Sequence, residues 1–212
     1  MFTSEEWRVL YFTWTVIGIF FFLSMIIRRN LCVENPKKLQ ILAEITVNGL
    51  EKMSSEIMGK ERVQRLFPFI FSLFLFILFC NLIGVFPLSI SPTNTLNTTI
   101  ALSIITFIVV TVNGIREIKV SYFKKYLGPV VFLIPMMLFI EIIGEISKPF
   151  SLSLRLFANV FGEEEVYEQI FHLVPVLVPI IIKFLMIFTD FLQSFVFIIL
   201  TMVYIEMAAE HH

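Results

Sequence analysis

Long apolar runs, separated by short charged or turn-rich stretches, set the pattern of this chain. Residues 9–27 form the first run, closed by Arg28 and Arg29. A membrane-crossing helix needs about 20 mostly apolar residues, so this run predicts a span. It is longer than the apolar core of a signal peptide, and no small-residue cleavage site follows it, so the span is expected to be retained. Residues 36–65 differ: Leu39, Ile41, Leu42, Ile45, Val47 and Leu50 are interleaved with Lys37, Lys38, Glu44, Glu51, Lys52 and Glu56. That mixture predicts an amphipathic helix lying on a membrane surface, with a soluble linker helix as the competing reading.

Residues 66–115 carry no charge, and fifty uncharged residues are too many for one span. Phe86-Pro87 and the stretch Ser91, Pro92, Thr93, Asn94 supply the break. The segment therefore predicts a hairpin of two spans joined by a short polar loop. Residues 126–140, with Pro129 and Pro135, are too few to span comfortably and read as re-entrant or interfacial. Two long helical stretches follow, at about 139–172 and 176–208, with Pro175 and Pro179 marking the bend between them.

Composition agrees with lipid as the solvent. The chain of 212 residues is 58% hydrophobic and 16% charged, whereas soluble domains are about half apolar and about a quarter charged. The placement of charge then orients the spans. Eight basic residues lie between Arg28 and Arg65, none lies in the loop 87–97, and four lie between Arg116 and Lys125. Cytoplasmic loops carry the excess of Lys and Arg, so both basic segments fall on the cytoplasmic side and the amino terminus outside. Two spans separate the basic segments, which agrees with that count. The expectation is an all-α polytopic membrane protein of about five spanning helices plus an amphipathic surface helix. Its regions are 1–65, 66–115 and 116–212.

Several function classes drop out. No phosphate-binding loop of the G-x-x-x-x-G-K-[ST] type is present, so any nucleotide chemistry belongs to a partner. Cys32 and Cys80 stand alone and read as small packing residues. His172, His211 and His212 show no metal-ligand spacing. No cofactor and no nucleic acid is expected.

The last third carries charge where lipid should be. From Pro129 onward there are nine acidic residues, Glu141, Glu145, Glu163, Glu164, Glu165, Glu168, Asp190, Glu206 and Glu210, and only three basic ones, Lys148, Arg155 and Lys183. An ionisable group inside a membrane costs ~3 kcal/mol or more and persists mainly beside water, a partner charge or an ion path. The competing reading is a pair of interfacial helices with solvated charges. On a helix, Lys148, Ser151, Asn159 and Gly162 fall within about 40° of Arg155, so small and polar residues surround the arginine. Glu164 points to the opposite face. On the next helix Lys183, Met186, Asp190, Gln193 and Phe197 share one stripe. If the two helices fold back about residue 174, Arg155 and Gln193 lie at one depth, and Glu165 and Lys183 at another.

The stretch SKPFSLSLRLFAN at residues 147–159 closely resembles the signature of F-type ATP synthase subunit a. FTDFLQSFVF at 188–197 resembles that family's final helix, and NLIGVFP at 81–87 with SPTNTLN at 91–97 resembles its outer loop. The matches run in order from about residue 66 to the end. The resemblance implies a non-catalytic, ion-translocating stator subunit in a bacterial inner membrane, partnered by a ring of c subunits, by stalk subunit b and by lipid. It implies that Arg155 faces the ring, with Asn159 and Gln193 as polar neighbours, and that Glu164 is the carboxylate of the outer half-channel. Glu163, Glu165, Glu168 and His172 would line the same route. The two long C-terminal helices would form a tilted hairpin curved against the ring. The chain departs from the family pattern at Met186, where a histidine is frequent, at Thr95, where an acid is common, and at Lys183. Asp190 is the nearby polar group.

Two other classes compete. A secondary transporter binding an anion at Arg155 would carry inverted repeats and broken helices in matching halves, and the sequence has neither. A membrane scaffold leaves Arg155, Asp190 and the glutamate run without a purpose.

Overall fold

The computed structural model describes residues 4–29, 38–86, 89–118, 134–173 and 177–209. The described residues form six α-helices and one 3-10 turn. The helices are α1 (Ser4–Arg29), α2 (Lys38–Met58), α3 (Lys60–Ile83), α4 (Leu96–Ile118), α5 (Ile134–Leu173) and α6 (Leu177–Ala209). The 3-10 turn is Pro92–Asn94. Three helices are long and apolar enough to cross a membrane: α3, α4 and Val178–Ala209 within α6. The apolar stretch of α1, Trp7–Phe22, is shorter. Expectations for Cys32, Lys119, Lys124, Lys125, Pro87, Pro175, Glu210, His211, His212 and residues 126–133 lie outside the described residues.

The predicted hairpin is α3, the 3-10 turn and α4. Its breaks follow backbone chemistry: Gly84 ends α3, and Pro92 opens the 3-10 turn, where a missing N–H leaves no bond unmade. α4 packs on α5 and α6, and α3 packs on α6. Two apolar clusters fill the space. One joins Leu50 and Met58 of α2 to Ile70 and Phe74 of α3, Val110 of α4, and Ile198, Met202 and Ile205 of α6. The other joins Leu73, Ile77 and Leu102 to Leu152, Leu156 and Val160 of α5 and Phe197 of α6. α1 leans on α3, with Phe20 edge-on to Phe79 at 5.1 Å.

Two boundaries differ from the sequence reading. The first span starts at Lys60 rather than near residue 66, because Gly59 adopts φ 77° and turns the chain sharply out of α2. α2 is therefore only partly a surface helix. Leu50, Ser54 and Met58 are buried against the bundle, while Leu42 and Ile45 are 68% and 67% exposed. Residues 134–140, expected in a separate re-entrant piece, are the first two turns of α5.

α5 has 40 residues, about 60 Å at 1.5 Å per residue and about twice the hydrocarbon thickness of a bilayer. Tilt accommodates such an excess. α5 and α6 also present broad apolar surfaces that are exposed among the described residues. Phe139, Ile146, Phe150, Ile180, Phe184 and Phe188 are all more than half exposed.

Candidate functional site

The loop end of the bundle is built around Glu164. Its α5 position brings the carboxylate to the 3-10 turn between α3 and α4. Oε1 accepts the Ser91 backbone N–H at 3.3 Å, and Oε2 accepts the Asn94 side-chain amide. Behind these donors runs a buried polar chain. The Ser91 hydroxyl donates to the Cys80 carbonyl at 2.8 Å and lies 2.6 Å from the Thr93 hydroxyl. Thr93 donates to Asn81 Oδ1 at 2.7 Å, and Asn81 Nδ2 lies 3.5 Å from Ser194 of α6. Polar atoms this deep are retained when partners satisfy them. The chain thus links Glu164 to the α6 backbone at Asp190, whose carbonyl accepts from Ser194 at 2.8 Å.

Asp190 itself is only 4% exposed and lies within electrostatic range of Glu163 and Glu164. Glu163 sits beside Thr189, and its Oε2 is buried without a hydrogen-bond partner among the described residues. Glu165 and Glu168 are exposed on the outer side of α5.

Arg155 lies deeper. It is exposed on α5, next to exposed Ser151, Leu154, Ala158 and Asn159. Among the described residues it forms no ion pair and no hydrogen bond, whereas Arg62, Arg65 and Lys148 are paired with carboxylates. One turn further on, Asn159 Nδ2 donates to Gln193 Oε1 of α6 at 2.6 Å. Gln193 is 6% exposed, and its Nε2 is buried without a partner among the described residues. Helix rise places Arg155 nine residues, about 14 Å, from Glu164 along α5.

The other end of the bundle is held by charge. Arg62 Nε donates to Glu117 Oε2 at 2.7 Å, and Arg62 Nη1 pairs with Glu206. Arg65 reaches Glu117 Oε1 at 2.9 Å. These contacts join the start of α3 to the ends of α4 and α6. Gln193 stands thirteen residues from Glu206 on α6, about 20 Å at helix rise. Arg155 and Gln193 therefore sit between the two polar ends of the bundle. Among the described residues no group of three or more His, Cys, Asp or Glu could hold a metal ion.

Residues 10–206 match the family described as ATP synthase A chain. The chain belongs to the ATP synthase A chain family. It is 41% identical over 199 residues to ATP synthase subunit a of Geotalea daltonii, covering 94% of this chain and 86% of the relative. It is 42% identical over 199 residues to the Trichlorobacter lovleyi protein of the same name, with the same coverage. Subunit a of Nitratidesulfovibrio vulgaris is 37% identical over 208 residues, covering 98% of this chain and 88% of the relative.

Within this ATP synthase A chain member, residue counting set Gln193 level with Arg155, whereas the structure bonds Gln193 to Asn159, one turn further along α5. Lys183, Met186, Asp190, Gln193 and Phe197 share the inward stripe of α6, where all but the half-buried Lys183 are buried. Lys183 and Glu165 do not pair. Lys183 Nζ instead donates to the Val85 carbonyl at 2.7 Å and stands 5.0 Å from the Tyr167 ring centroid. Equal depth did not suffice, because Glu165 faces away from α6 while Lys183 faces the loop. Lys148 braces its own helix, 2.8 Å from Glu145 and 5.9 Å from the Tyr204 ring centroid. Thr95, at the family's acidic position, contacts the Pro92 carbonyl at 3.1 Å and the Thr98 hydroxyl at 2.9 Å, at the start of α4.

Sequence reasoning assigned no role to Asn81, Ser91, Thr93 or Asn94. Their polarity within fifty uncharged residues was the available signal. The Arg62, Arg65, Glu117 and Glu206 cluster was also missed, since charges at helix ends read as ordinary solvated groups.

Proposed function

We propose that this chain is the ion-translocating, non-catalytic stator subunit of a bacterial inner-membrane F-type ATP synthase. It presents two offset half-channels to a ring of small subunits, and Arg155 separates them. The observation that carries this reading is an exposed arginine without an ion pair among the described residues, one helical turn from an amide pair and between two polar ends.

The chemistry follows. A carboxylate on the ring must be neutral to face lipid, because a bare charge there is prohibitively costly. Beside Arg155 it can ionise, since an opposite charge favours the charged form. Arginine stays protonated at any relevant pH, so it stabilises that carboxylate without accepting its proton. It also repels a proton that would pass directly between the half-channels.

The outer half-channel begins at Glu164 and runs through Glu163 and Asp190 toward Gln193 and Asn159. Buried polar atoms without a partner among the described residues, Glu163 Oε2 and Gln193 Nε2, favour a hydrated path there. Glu165 lies at its exposed rim, and Lys183 stands on the loop side. The inner half-channel opens toward the Arg62, Glu117 and Glu206 end. Five spans are assigned to α1, α3, α4, α5 and α6, with α2 at the surface. Regions 1–65, 66–115 and 116–212 serve as anchor, hairpin and ring-facing unit. The exposed faces of α5 and α6 meet the ring, and stalk subunit b and lipid cover other surfaces.

The decisive experiment replaces Arg155 by Ala in the complete complex reconstituted into liposomes. Coupled ATP synthesis is expected to vanish while the subunit still inserts and co-purifies with the ring. Synthesis at the wild-type rate refutes the assignment.

A further inference from the structure

The turn that ends α3 is held by two residues from the long helix pair. On one side the Glu164 carboxylate approaches Gly84. A Cβ there would stand 2.9 Å from Glu164 Oε1, 2.9 Å from Ser91 Cβ and 3.3 Å from the Asn81 carbonyl oxygen. The backbone does not ask for glycine, since φ is −64° and ψ is −21° at this residue. Clearance does: even one methyl would displace the carboxylate, the Ser91 side of the turn, or both, and so disturb the bonds to the Ser91 N–H and the Asn94 amide.

On the other side, Lys183 of α6 donates to the carbonyl of Val85, the next residue. Its ammonium is half-buried and stacks over Tyr167 of α5. Among the described residues it forms no ion pair, although Glu163, Glu164, Glu165 and Asp190 lie on the same two helices. A charge-assisted bond from a half-buried cation to one carbonyl fixes that carbonyl in place. The same turn is thus fixed from α6 and kept open toward α5.

We propose that Gly84 and Lys183 are positioning residues that seat the Glu164 carboxylate against the Ser91 N–H and the Asn94 amide. Gly84 supplies the space, and Lys183 holds the turn at the correct distance. The inference rests on the reading of Glu164 as the proton-exchanging group of the outer half-channel. Displacing such a group by about 1 Å can slow a reaction about a hundredfold.

The test measures passive proton flow through the reconstituted membrane sector under a potassium diffusion potential, with co-purification of the ring as the assembly check. Glu164→Gln tests the underlying reading, and normal flow in that variant overturns it. With Glu164→Gln slow, Gly84→Ala is expected to slow flow about tenfold or more. Glu164→Asp alone is also slow. The double variant Gly84→Ala with Glu164→Asp is expected to be no slower than Gly84→Ala, because a carboxylate one methylene shorter clears the new Cβ. Wild-type flow in Gly84→Ala, or a double variant whose loss is the product of the single losses, overturns the seat. If Gly84→Ala does not assemble, the lysine decides. Lys183→Met should slow flow, and Lys183→Arg should regain most of it through its own charge and donors. Equal flow in those two variants overturns the positioning role.

Discussion

Asn159 on α5 donates to Gln193 on α6 at 2.6 Å, one helical turn from the exposed Arg155. The bond ties the arginine-bearing helix to the buried stripe of its partner one turn from the arginine. Because Gln193 is almost fully buried, the amide pair sets the relative rotation of the two helices there. Arg155 thereby stays on the open face.

That bond predicts coupled losses. Asn159→Leu leaves the Gln193 carbonyl without its donor, and an orphaned buried acceptor costs about 1–3 kcal/mol. Gln193→Leu should cost less, because the Asn159 amide it frees is exposed and the unpartnered Nε2 is removed with it. The double variant should lose less than the two singles combined, as residues sharing one bond do. Thermal unfolding midpoints of the detergent-solubilised complex measure this, and strictly additive shifts would show that the two side chains act separately.

Arg155→Lys should not replace arginine. Lysine keeps the charge but lacks the planar fork, and a desolvated ammonium can lose its proton. Coupled synthesis is expected to fall more than about tenfold, the rate change for ~1.4 kcal/mol, with assembly intact. Passive proton leak across the membrane sector should rise, because the barrier proposed between the half-channels would no longer be permanently charged. Synthesis and leak both at wild-type values would contradict the barrier role.

Glu117→Gln should loosen the arginine end of the bundle. Glu117 serves both Arg62 and Arg65, and its side chain is 16% exposed. Removing one partner of a partly buried pair leaves the other charge poorly compensated. Solvent access to Arg65 reduces the effect, so the expected loss is about 1–3 kcal/mol. Arg62→Met should overlap with it rather than add. Proteolytic sensitivity at the ends of α4 and α6 gives the readout, and an unchanged cleavage rate would remove the cluster from the account of stability.

Thr93→Val tests the buried polar chain behind Glu164. The valine keeps the shape but cannot donate to Asn81 Oδ1 or pair with Ser91. The expected cost is about 1–3 kcal/mol, together with slower proton flow as the Ser91 donor moves. Thr93→Ser should restore both. Stability lost without any change in flow would mark Thr93 as structural only.

The sequence by itself determined the membrane setting, the hairpin of α3 and α4, the two long C-terminal helices and the α6 stripe that carries Asp190 and Gln193. Hydrophobic run length and a rise of about 1.5 Å per residue act locally, so one dimension suffices to read them. The family was legible in the arginine stretch for the same reason. Depth along a helix follows from counting residues.

Only the tertiary structure decided azimuth and partner. It turned Glu165 outward, sent Lys183 to the Val85 carbonyl, and drew the Ser91 to Asn94 loop onto Glu164. It also assembled Arg62, Glu117 and Glu206 from three helices that begin or end far apart in the chain. These choices depend on how apolar faces rotate and interlock when five helices share one core. That packing is a property of the whole bundle, and no single helix carries it.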